Sequence, residues 1–214
     1  MRETQLAEEL REIGIIATAQ VPAERQLLRV VAALAGGGIR AVELAYTTVR
    51  SAGWLVQELK DTGLLVGVGA ITRSAQAREA GVFGADFVTA SVTSPDVVTA
   101  CGQIDIPCIL SGLTPTEVWR AHEMAADFVK ITATEAMGGP RYILSLRETL
   151  PALQVVGADV PLDGYIPYLE AGVEVLEFKS ALALPELAER EAWAEISQRA
   201  LEIVNACNKW WANH

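Results

Sequence analysis

The 214-residue sequence has few of the side chains that most often bind metals or serve as catalytic bases. It contains two histidines and three cysteines. His122 lies in a helical pattern and His214 is the last residue, so we expect no Ser-His-Asp triad and no histidine metal cluster. Cys101, Cys108 and Cys207 form no C-x-x-C pair, which argues against a disulfide framework and a thiolate zinc site. We therefore predict a protein that uses no metal and no cofactor.

Positive charge is also scarce. Lysine and arginine together number 17 against 27 aspartates and glutamates, which gives a net charge of −10 at pH 7. Because such a surface repels phosphate backbones and anionic headgroups, we expect neither nucleic acid nor membrane as a partner. The first residues lack the basic and apolar regions of a secretory signal, so we expect a cytoplasmic, globular protein.

Apolar, β-rich runs are what the sequence has in abundance. Eight of them recur with their starts 20 to 26 residues apart, which is the length of one strand plus one crossover helix. Most are continuously hydrophobic, as is typical of parallel strands covered on both faces. The predicted strands are Ile13–Ala19, Ile39–Ala45, Leu64–Gly69, Asp86–Ala90, Ile106–Leu110, Asp127–Ile131, Leu153–Gly157 and Val173–Phe178.

The order of these segments predicts an α/β fold. Helical patterns separate the runs, and prolines fall near the expected helix starts. Eight such units in 214 residues are enough for a small (β/α)8 TIM barrel, with an open doubly wound sheet as the alternative. We predict a single barrel domain over residues 1–214 with an N-terminal helix. We expect the Trp210-Trp211 pair near the chain end to pack on this domain, with a subunit contact as the alternative.

Lysine is the informative residue of the predicted barrel, whose reactive groups project from the carboxyl ends of the strands. Two of only four lysines, Lys130 and Lys179, close apolar strands. Burial disfavours the charged form of a lysine, so its amine can become neutral and attack a carbonyl to form a Schiff base. The alternative is that each lysine pairs with a carboxylate at the barrel rim.

A carboxylate stands out for the same reason. Glu43 lies inside the second predicted strand, where an unpartnered charge would be costly, so it should face a cation or a reacting proton. An amine nucleophile and a carboxyl group of raised pKa are the minimum needed for imine chemistry. Glu177 is a weaker candidate, and we expect it to lie at the rim or to face a helix.

Several segments, in this order and spacing, resemble the 2-keto-3-deoxy-6-phosphogluconate (KDPG) and 4-hydroxy-2-oxoglutarate (KHG) aldolases, which are small class I aldolase barrels. The glycine pair and strand that end at Glu43 resemble that family's strand with the catalytic glutamate, and Phe128-Val129-Lys130 resembles its Schiff-base strand. The other similar segments are Val66–Gly69, Gly84–Phe87, Ile106-Pro107, Thr114–Glu117 and Gly138-Gly139.

The resemblance implies a reaction and a site. It implies that Lys130 forms an imine and that Glu43 is the general acid/base, cleaving a 2-keto-4-hydroxy acid to pyruvate and an aldehyde. It also implies a homotrimer. The positions that match the family's substrate-binding segments are Gln20, Thr47, Gly69, Thr132, Lys179 and Ser180.

The sequence departs from the family where the substrate would bind. Gln20 and Thr47 stand where the family usually has arginines, and Asp159 follows the seventh strand where it has a phosphate-binding glycine pair. Asp159 would repel a phosphate dianion whereas Lys179 would attract one, so both phosphorylated and unphosphorylated substrates remain open. Two alternatives also remain. One is a diverged barrel that binds a small acid or carbonyl compound without turnover, and the other is a different barrel enzyme with Lys130 as an electrostatic clamp.

Overall fold

The chain folds into a closed barrel of eight parallel strands in sequential order, β1 to β8. This computed structural model describes residues 5–19, 24–179 and 181–214. The first and last strands pair directly, with Ile16 opposite Glu177, so the sheet has no free edge. The predicted (β/α)8 barrel is therefore confirmed, and the open doubly wound alternative is wrong.

Each predicted strand is present, although several begin about two residues later than the sequence indicates. The strands are β1 (Ile15–Ala19), β2 (Ala41–Ala45), β3 (Leu65–Ile71), β4 (Phe87–Ala90), β5 (Cys108–Gly112), β6 (Phe128–Ile131), β7 (Val155–Gly157) and β8 (Val175–Phe178). The helices are α1 (Gln5–Ile13), α2 (Glu24–Gly36), α3 (Tyr46–Ser51), α4 (Trp54–Lys60), α5 (Ser74–Val82), α6 (Pro95–Gln103), α7 (Pro115–Glu123), α8 (Pro140–Thr149), α9 (Ile166–Glu170), α10 (Pro185–Glu189) and α11 (Trp193–Trp211), with a 3-10 turn over Glu135–Met137.

Proline marks the starts of several helices. It is the first residue of α6, α7, α8 and α10, where its missing N–H has no intrahelical partner to lose. A capping box strengthens the start of α7, because Thr114 Oγ1 accepts a hydrogen bond from Glu117 N while the Glu117 carboxylate accepts one from Thr114 N. These signals fix where the loops at the carboxyl ends of the strands stop and the helices begin.

The lower half of the barrel interior, at the amino ends of the strands, is entirely apolar and is closed by α1. Ala7, Leu10 and Ile13 lie on one face of α1, three residues apart, and pack against the inward side chains of the strands. Those inward side chains are Ile16, Ala41, Phe87, Ile109, Phe128, Val156 and Val175. The predicted N-terminal helix therefore forms the floor of the barrel.

The C-terminal helix α11 packs on α2 and continues to the barrel floor. Trp211 lies against the backbone of Gly14, where an added Cβ would fall 2.4 Å from the tryptophan ring. Gly14 also has φ +65°, a conformation that favours glycine. The Trp210 ring stacks on His214 at a centroid distance of 4.4 Å. Trp211 thus packs on its own domain, as predicted.

One type of hydrogen bond recurs at the amino-terminal rim and links neighbouring strands. Three acidic residues, each just before an even-numbered strand, accept a hydrogen bond from the backbone N–H of the preceding odd-numbered strand. Asp86 bonds Val66 N at 2.8 Å and also pairs with Lys60 Nζ at 2.7 Å. The other two pairs are Asp127 with Cys108 N and Glu174 with Val155 N.

Within the described residues, no helix combines the length and the apolar character that crossing a bilayer requires.

Candidate active site

The upper half of the barrel interior, at the carboxyl ends of the strands, is polar. On six strands, the inward position one pleat above the apolar layer carries a hydroxyl, a carboxyl or an amine. The six residues are Thr18, Glu43, Thr89, Ser111, Lys130 and Glu177. Side chains of a strand alternate between its two faces. The next inward position above the apolar layer is therefore polar on these six strands, and together they form a polar layer where a ligand could bind.

Lys130 lies at the centre of this polar layer. Its side chain is only 13% exposed, and Nζ is 2.7 Å from Glu177 Oε1 and 3.9 Å from Glu43 Oε1. The Thr18 hydroxyl donates to the same Glu177 oxygen at 2.8 Å. The amine is therefore held between carboxylates on β2 and β8, on opposite sides of β1.

Glu43 is accommodated by a glycine on the neighbouring strand. A Cβ at Gly69 would lie 2.1 Å from Glu43 Oε1 and 2.4 Å from its carboxyl carbon. Real atoms cannot approach so closely, so only a glycine leaves room for the carboxyl group at this point. Gly69 thereby sets the position of Glu43 relative to Lys130.

The two proton-carrying groups influence each other. Burial raises the pKa of the Glu43 carboxyl, and the Glu177 carboxylate raises it further, although the Lys130 ammonium opposes both effects. Burial would lower the pKa of Lys130, but Glu43, Glu177 and the more distant Asp159 outweigh it and raise that pKa. Lys130 is thus an ammonium paired with Glu177, beside Glu43, whose carboxyl takes up a proton more readily than that of an ordinary glutamate.

The rim above this cluster carries a second, looser pair. Lys179 Nζ is 3.9 Å from Asp159 Oδ1, and both side chains are about half exposed, at 47% and 50%. Asp159 has φ +55° in the turn after β7. The two charges are opposite, so this pair adds no net positive charge to the rim.

Two connected cavities open at this end of the barrel. The inner cavity, of about 190 Å³, is lined by Lys130, Glu177 and the rim pair. The outer cavity, of about 450 Å³, lies toward α7 and includes Arg120. Both are bordered by Ser91, Ser111 and Thr132. The inner cavity alone is below the usual range of about 300–1,000 Å³ for ligand sites, so a longer ligand would extend into the outer one.

The predicted substrate-binding residues fall in different places. Thr132 and Lys179 line the inner cavity, whereas Gly69 supports Glu43 from behind. Thr47 is exposed on α3 and does not line either cavity. Gln20 and Ser180 lie outside the described residues. The role of each in substrate binding stays a prediction.

One expectation about this site was wrong. Glu177 neither lies at the rim nor faces a helix: it is 2% exposed inside the barrel, because it is two residues from Lys179 and so shares that inward face. At Lys130, the carboxylates outweigh the expected effect of burial on the pKa. Sequence reasoning also missed Thr18, Thr89 and Ser111, whose signal was a polar residue at an inward position of an apolar strand.

The part of the chain that the structure describes contains no candidate metal-binding site. No group of three or more histidine, cysteine or acidic side chains is arranged there to hold an ion. The three cysteines are buried free thiols away from the cavity.

Comparison with known proteins places this barrel in a family. Residues 6–199 match the profile of the family described as KDPG and KHG aldolase. A 2-dehydro-3-deoxy-phosphogluconate aldolase of Treponema pallidum (strain Nichols) is 31% identical over 152 residues, which cover 70% of each chain.

Solved structures share the fold at lower identity. KDPG aldolase from Legionella pneumophila, with pyruvate captured as a covalent carbinolamine, has a TM-score of 0.83 and 19% identity, covering 94% of this chain and 99% of its own. The Zymomonas mobilis ZM4 aldolase with 3-phosphoglycerate has a TM-score of 0.79 and 16% identity, covering 95% and 96%. With the family match over residues 6–199, the conclusion is that this chain belongs to the KDPG and KHG aldolase family and is an aldehyde-lyase.

Proposed function

We propose that this chain is a class I aldolase that cleaves a 2-keto-4-hydroxy acid, such as KDPG or KHG, to pyruvate and an aldehyde. The observation that carries the proposal is a buried lysine amine held between two carboxyl groups at the base of a polar cavity. Of the four lysines, only Lys130 reaches the barrel interior, and the other three are at the rim or on the outside.

The proposed mechanism uses Lys130 as the nucleophile. Its amine adds to the C2 ketone and forms an imine, whose positive nitrogen accepts electrons from the breaking C3–C4 bond. Glu43 takes the proton of the C4 hydroxyl as the aldehyde leaves, and returns a proton to C3 of the resulting enamine. The raised pKa of Glu43 suits a group that must both accept and donate a proton near neutral pH.

The cavity arrangement supports a substrate that extends beyond pyruvate. The three-carbon keto acid portion would occupy the inner cavity beside Lys130. The aldehyde portion would then pass the hydroxyls of Ser91, Ser111 and Thr132 into the outer cavity. Hydroxyl groups both donate and accept hydrogen bonds, so they suit a hydroxylated or carboxylated chain.

The charge of the rim favours an unphosphorylated substrate. A phosphate dianion needs a surplus of cations or oriented N–H groups, whereas Lys179 is already paired with Asp159. We therefore propose that a short unphosphorylated 2-keto-4-hydroxy acid is cleaved more efficiently than its phosphorylated counterpart. Side-by-side assays of KHG and KDPG test this preference, and a higher kcat/KM for KDPG would contradict it.

The resemblance to the family supports three further proposals about the whole protein. We propose one domain over residues 1–214, a homotrimer and a cytoplasmic location. A single cooperative unfolding transition would support the first, and a native mass three times that of the chain would support the second. Recovery of the protein in the cytosolic fraction would support the third.

The decisive experiment is incubation with pyruvate and a borohydride, followed by intact-mass measurement and peptide mapping. The borohydride reduces an imine to a stable amine, so we expect a single pyruvate-derived adduct on the peptide that contains Lys130. Lys130→Ala should abolish both the adduct and cleavage, whereas Lys209→Ala, at an exposed position on α11, should change neither.

The outcomes separate the alternatives. An adduct on Lys179 would move the nucleophile to the rim. A folded sample without any adduct would favour a barrel that binds a small acid without turnover. Glu43→Gln should retain part of the adduct but slow cleavage by about 10²- to 10⁴-fold, as expected for loss of a general acid/base. Full cleavage by this variant would remove Glu43 from the mechanism.

A further inference from the structure

Glu177 has no part in the steps above, yet it makes the shortest contact to the proposed nucleophile. Its Oε1 is 2.7 Å from Lys130 Nζ, while Glu43 is 3.9 Å away and beyond hydrogen-bonding distance. Glu177 is 2% exposed, and its Oε2 has no hydrogen-bond partner among the described residues. A buried polar atom left unsatisfied costs about 1–3 kcal/mol, so its retention here calls for an explanation.

The orientation of Glu177 is fixed from the other side. The Thr18 hydroxyl donates to Oε1 at 2.8 Å across the β1–β8 pair. This bond keeps Oε1 directed at Nζ, on a residue that also lines the inner cavity. A hydroxyl that orients a carboxylate toward an amine is the arrangement needed to pass a proton between them.

We propose that Glu177 is the base that receives a proton from the Lys130 ammonium as the imine forms, and that Glu43 is left to serve the substrate carbon and oxygen atoms. This inference rests on the proposed function, because it assumes that Lys130 is the nucleophile. It assigns the two buried carboxyl groups different roles in one reaction.

Protons and electron pairs balance in this step. One proton moves from Nζ to Glu177, which leaves a neutral amine and a neutral acid. The nitrogen lone pair then bonds to C2, and the ketone oxygen takes the π-electron pair and a proton from Glu43. A second nitrogen proton passes to that oxygen, which leaves as water with the electron pair of its bond to C2. The nitrogen keeps one proton as an iminium, and Glu43 is now ionised and able to accept the C4 hydroxyl proton.

The other charged groups around Lys130 do not serve as this base. Glu43, from β2, lies 3.9 Å from Nζ, beyond hydrogen-bonding distance. Asp159, after β7, influences Lys130 only through its charge and lies nearest to Lys179, at the end of β8. Glu177 is therefore the one described carboxylate that both contacts Nζ and is oriented by a second hydrogen bond.

The test compares the rate of trapping by pyruvate and cyanoborohydride in Glu177→Gln and in the unmodified protein from neutral to alkaline pH. The amide cannot accept a proton, so we expect trapping at neutral pH to slow by about 10²-fold or more. Glu43 remains 3.9 Å from Nζ in this variant, and its carboxyl still favours the charged form of the amine. Its trapping should therefore rise about tenfold per pH unit, as solvent removes the proton instead, while the unmodified protein changes little.

Two further variants keep the test informative. Thr18→Val, which removes the orienting hydroxyl without a change of charge, should slow trapping by about tenfold. Glu170→Gln, the same substitution at an exposed position on α9, should leave the profile unchanged. Trapping of Glu177→Gln at the unmodified rate, or a slowing by the same factor at every pH, would overturn the inference. An unmodified protein that forms no adduct on Lys130 would instead overturn the proposed function.

Discussion

The two ends of the barrel use buried carboxylates in opposite ways. At the amino-terminal rim, Asp86 accepts a hydrogen bond from Val66 N and pairs with Lys60, so both of its oxygens have partners. At the other end, Glu177 leaves one oxygen without a hydrogen-bond partner among the residues that the structure describes. A fully paired carboxylate stabilises the strand register, whereas an incompletely paired one retains the capacity to move a proton.

This difference teaches that position along the strand, and not residue type, separates structural from chemical roles. The amino-terminal carboxylates bind backbone N–H groups, which cannot give up their proton. The carboxyl-terminal ones face an amine and a cavity. The predictions below test this division, from the largest expected effect to the smallest.

Removal of the central cation should have the largest effect. Lys130→Met should lower cleavage by about 10⁴-fold or more, because no other lysine lies inside the barrel. It should also change the pH dependence of stability. The pKa of Glu43 is already raised from 4.5 in the folded protein, and loss of the ammonium raises it further. The folded state then binds more protons than the unfolded state, so the free energy of unfolding should fall as pH rises above about 5.

Chemical denaturation at several pH values measures this effect. The unmodified protein, in which Lys130 compensates the carboxylates, should lose less stability over the same interval. Equal losses in the two proteins would contradict the charge balance described for this site.

A substitution at the amino-terminal rim should lower stability without lowering activity. Asp86→Ala leaves the Val66 N–H without a partner and removes the ion pair to Lys60, which keeps its bond to Gly84 O, so we expect the free energy of unfolding to fall by about 2–3 kcal/mol. The kcat and the imine-trapping pH profile should remain unchanged at a temperature where the variant is folded. A shifted pH profile would mean that the two ends of the barrel are coupled.

Addition of a single methyl group at Gly69 should lower activity at the carboxyl-terminal end of the barrel. In Gly69→Ala the new Cβ occupies the position of the Glu43 carboxyl, so we expect kcat to fall by about 100-fold with trapping on Lys130 retained. Gly102→Ala is the matched control, because no atom lies within 4 Å of its added Cβ. If both variants had the same kcat, Gly69 would have no role in positioning Glu43.

The rim pair should give the smallest effect. Asp159→Asn removes a half-exposed negative charge, and asparagine tolerates the left-handed backbone at φ +55°. We expect kcat/KM for the phosphorylated substrate, relative to the unphosphorylated one, to rise by about 2- to 5-fold. An unchanged ratio at low ionic strength would show that the rim charge does not affect substrate choice.

The fold was predictable from the sequence because continuous hydrophobic runs at regular spacing leave few architectures open. Lys130 and Glu43 were predictable for a related reason, since a charge inside such a run needs a partner. Ser111 was missed because the predicted fifth strand ended at Leu110, one residue short of the inward position. Strand ends depend on loop geometry and on pairing with neighbours, which apolar patterning does not encode.

The protonation states of the site could not be predicted from the sequence, for a different reason. The pKa of Lys130 depends on which carboxylates the closed barrel brings beside it, and Glu177 is far from it along the chain. A residue pattern gives the burial of each lysine but not its distances to distant charges. For the same reason, the neutral rim pair of Asp159 and Lys179 became apparent only with the structure.

The hydrogen bond between Thr18 and Glu177 joins residues 159 positions apart, which has a consequence for folding. Contacts of such separation carry the largest loop-closure entropy, so they form late. In an intermediate with an unclosed sheet, Glu177 would lack the Thr18 hydroxyl that directs it at Lys130, so the amine would not yet be poised to react with cellular carbonyl compounds. The rate at which imine trapping recovers after dilution from denaturant would therefore report when the first and last strands pair.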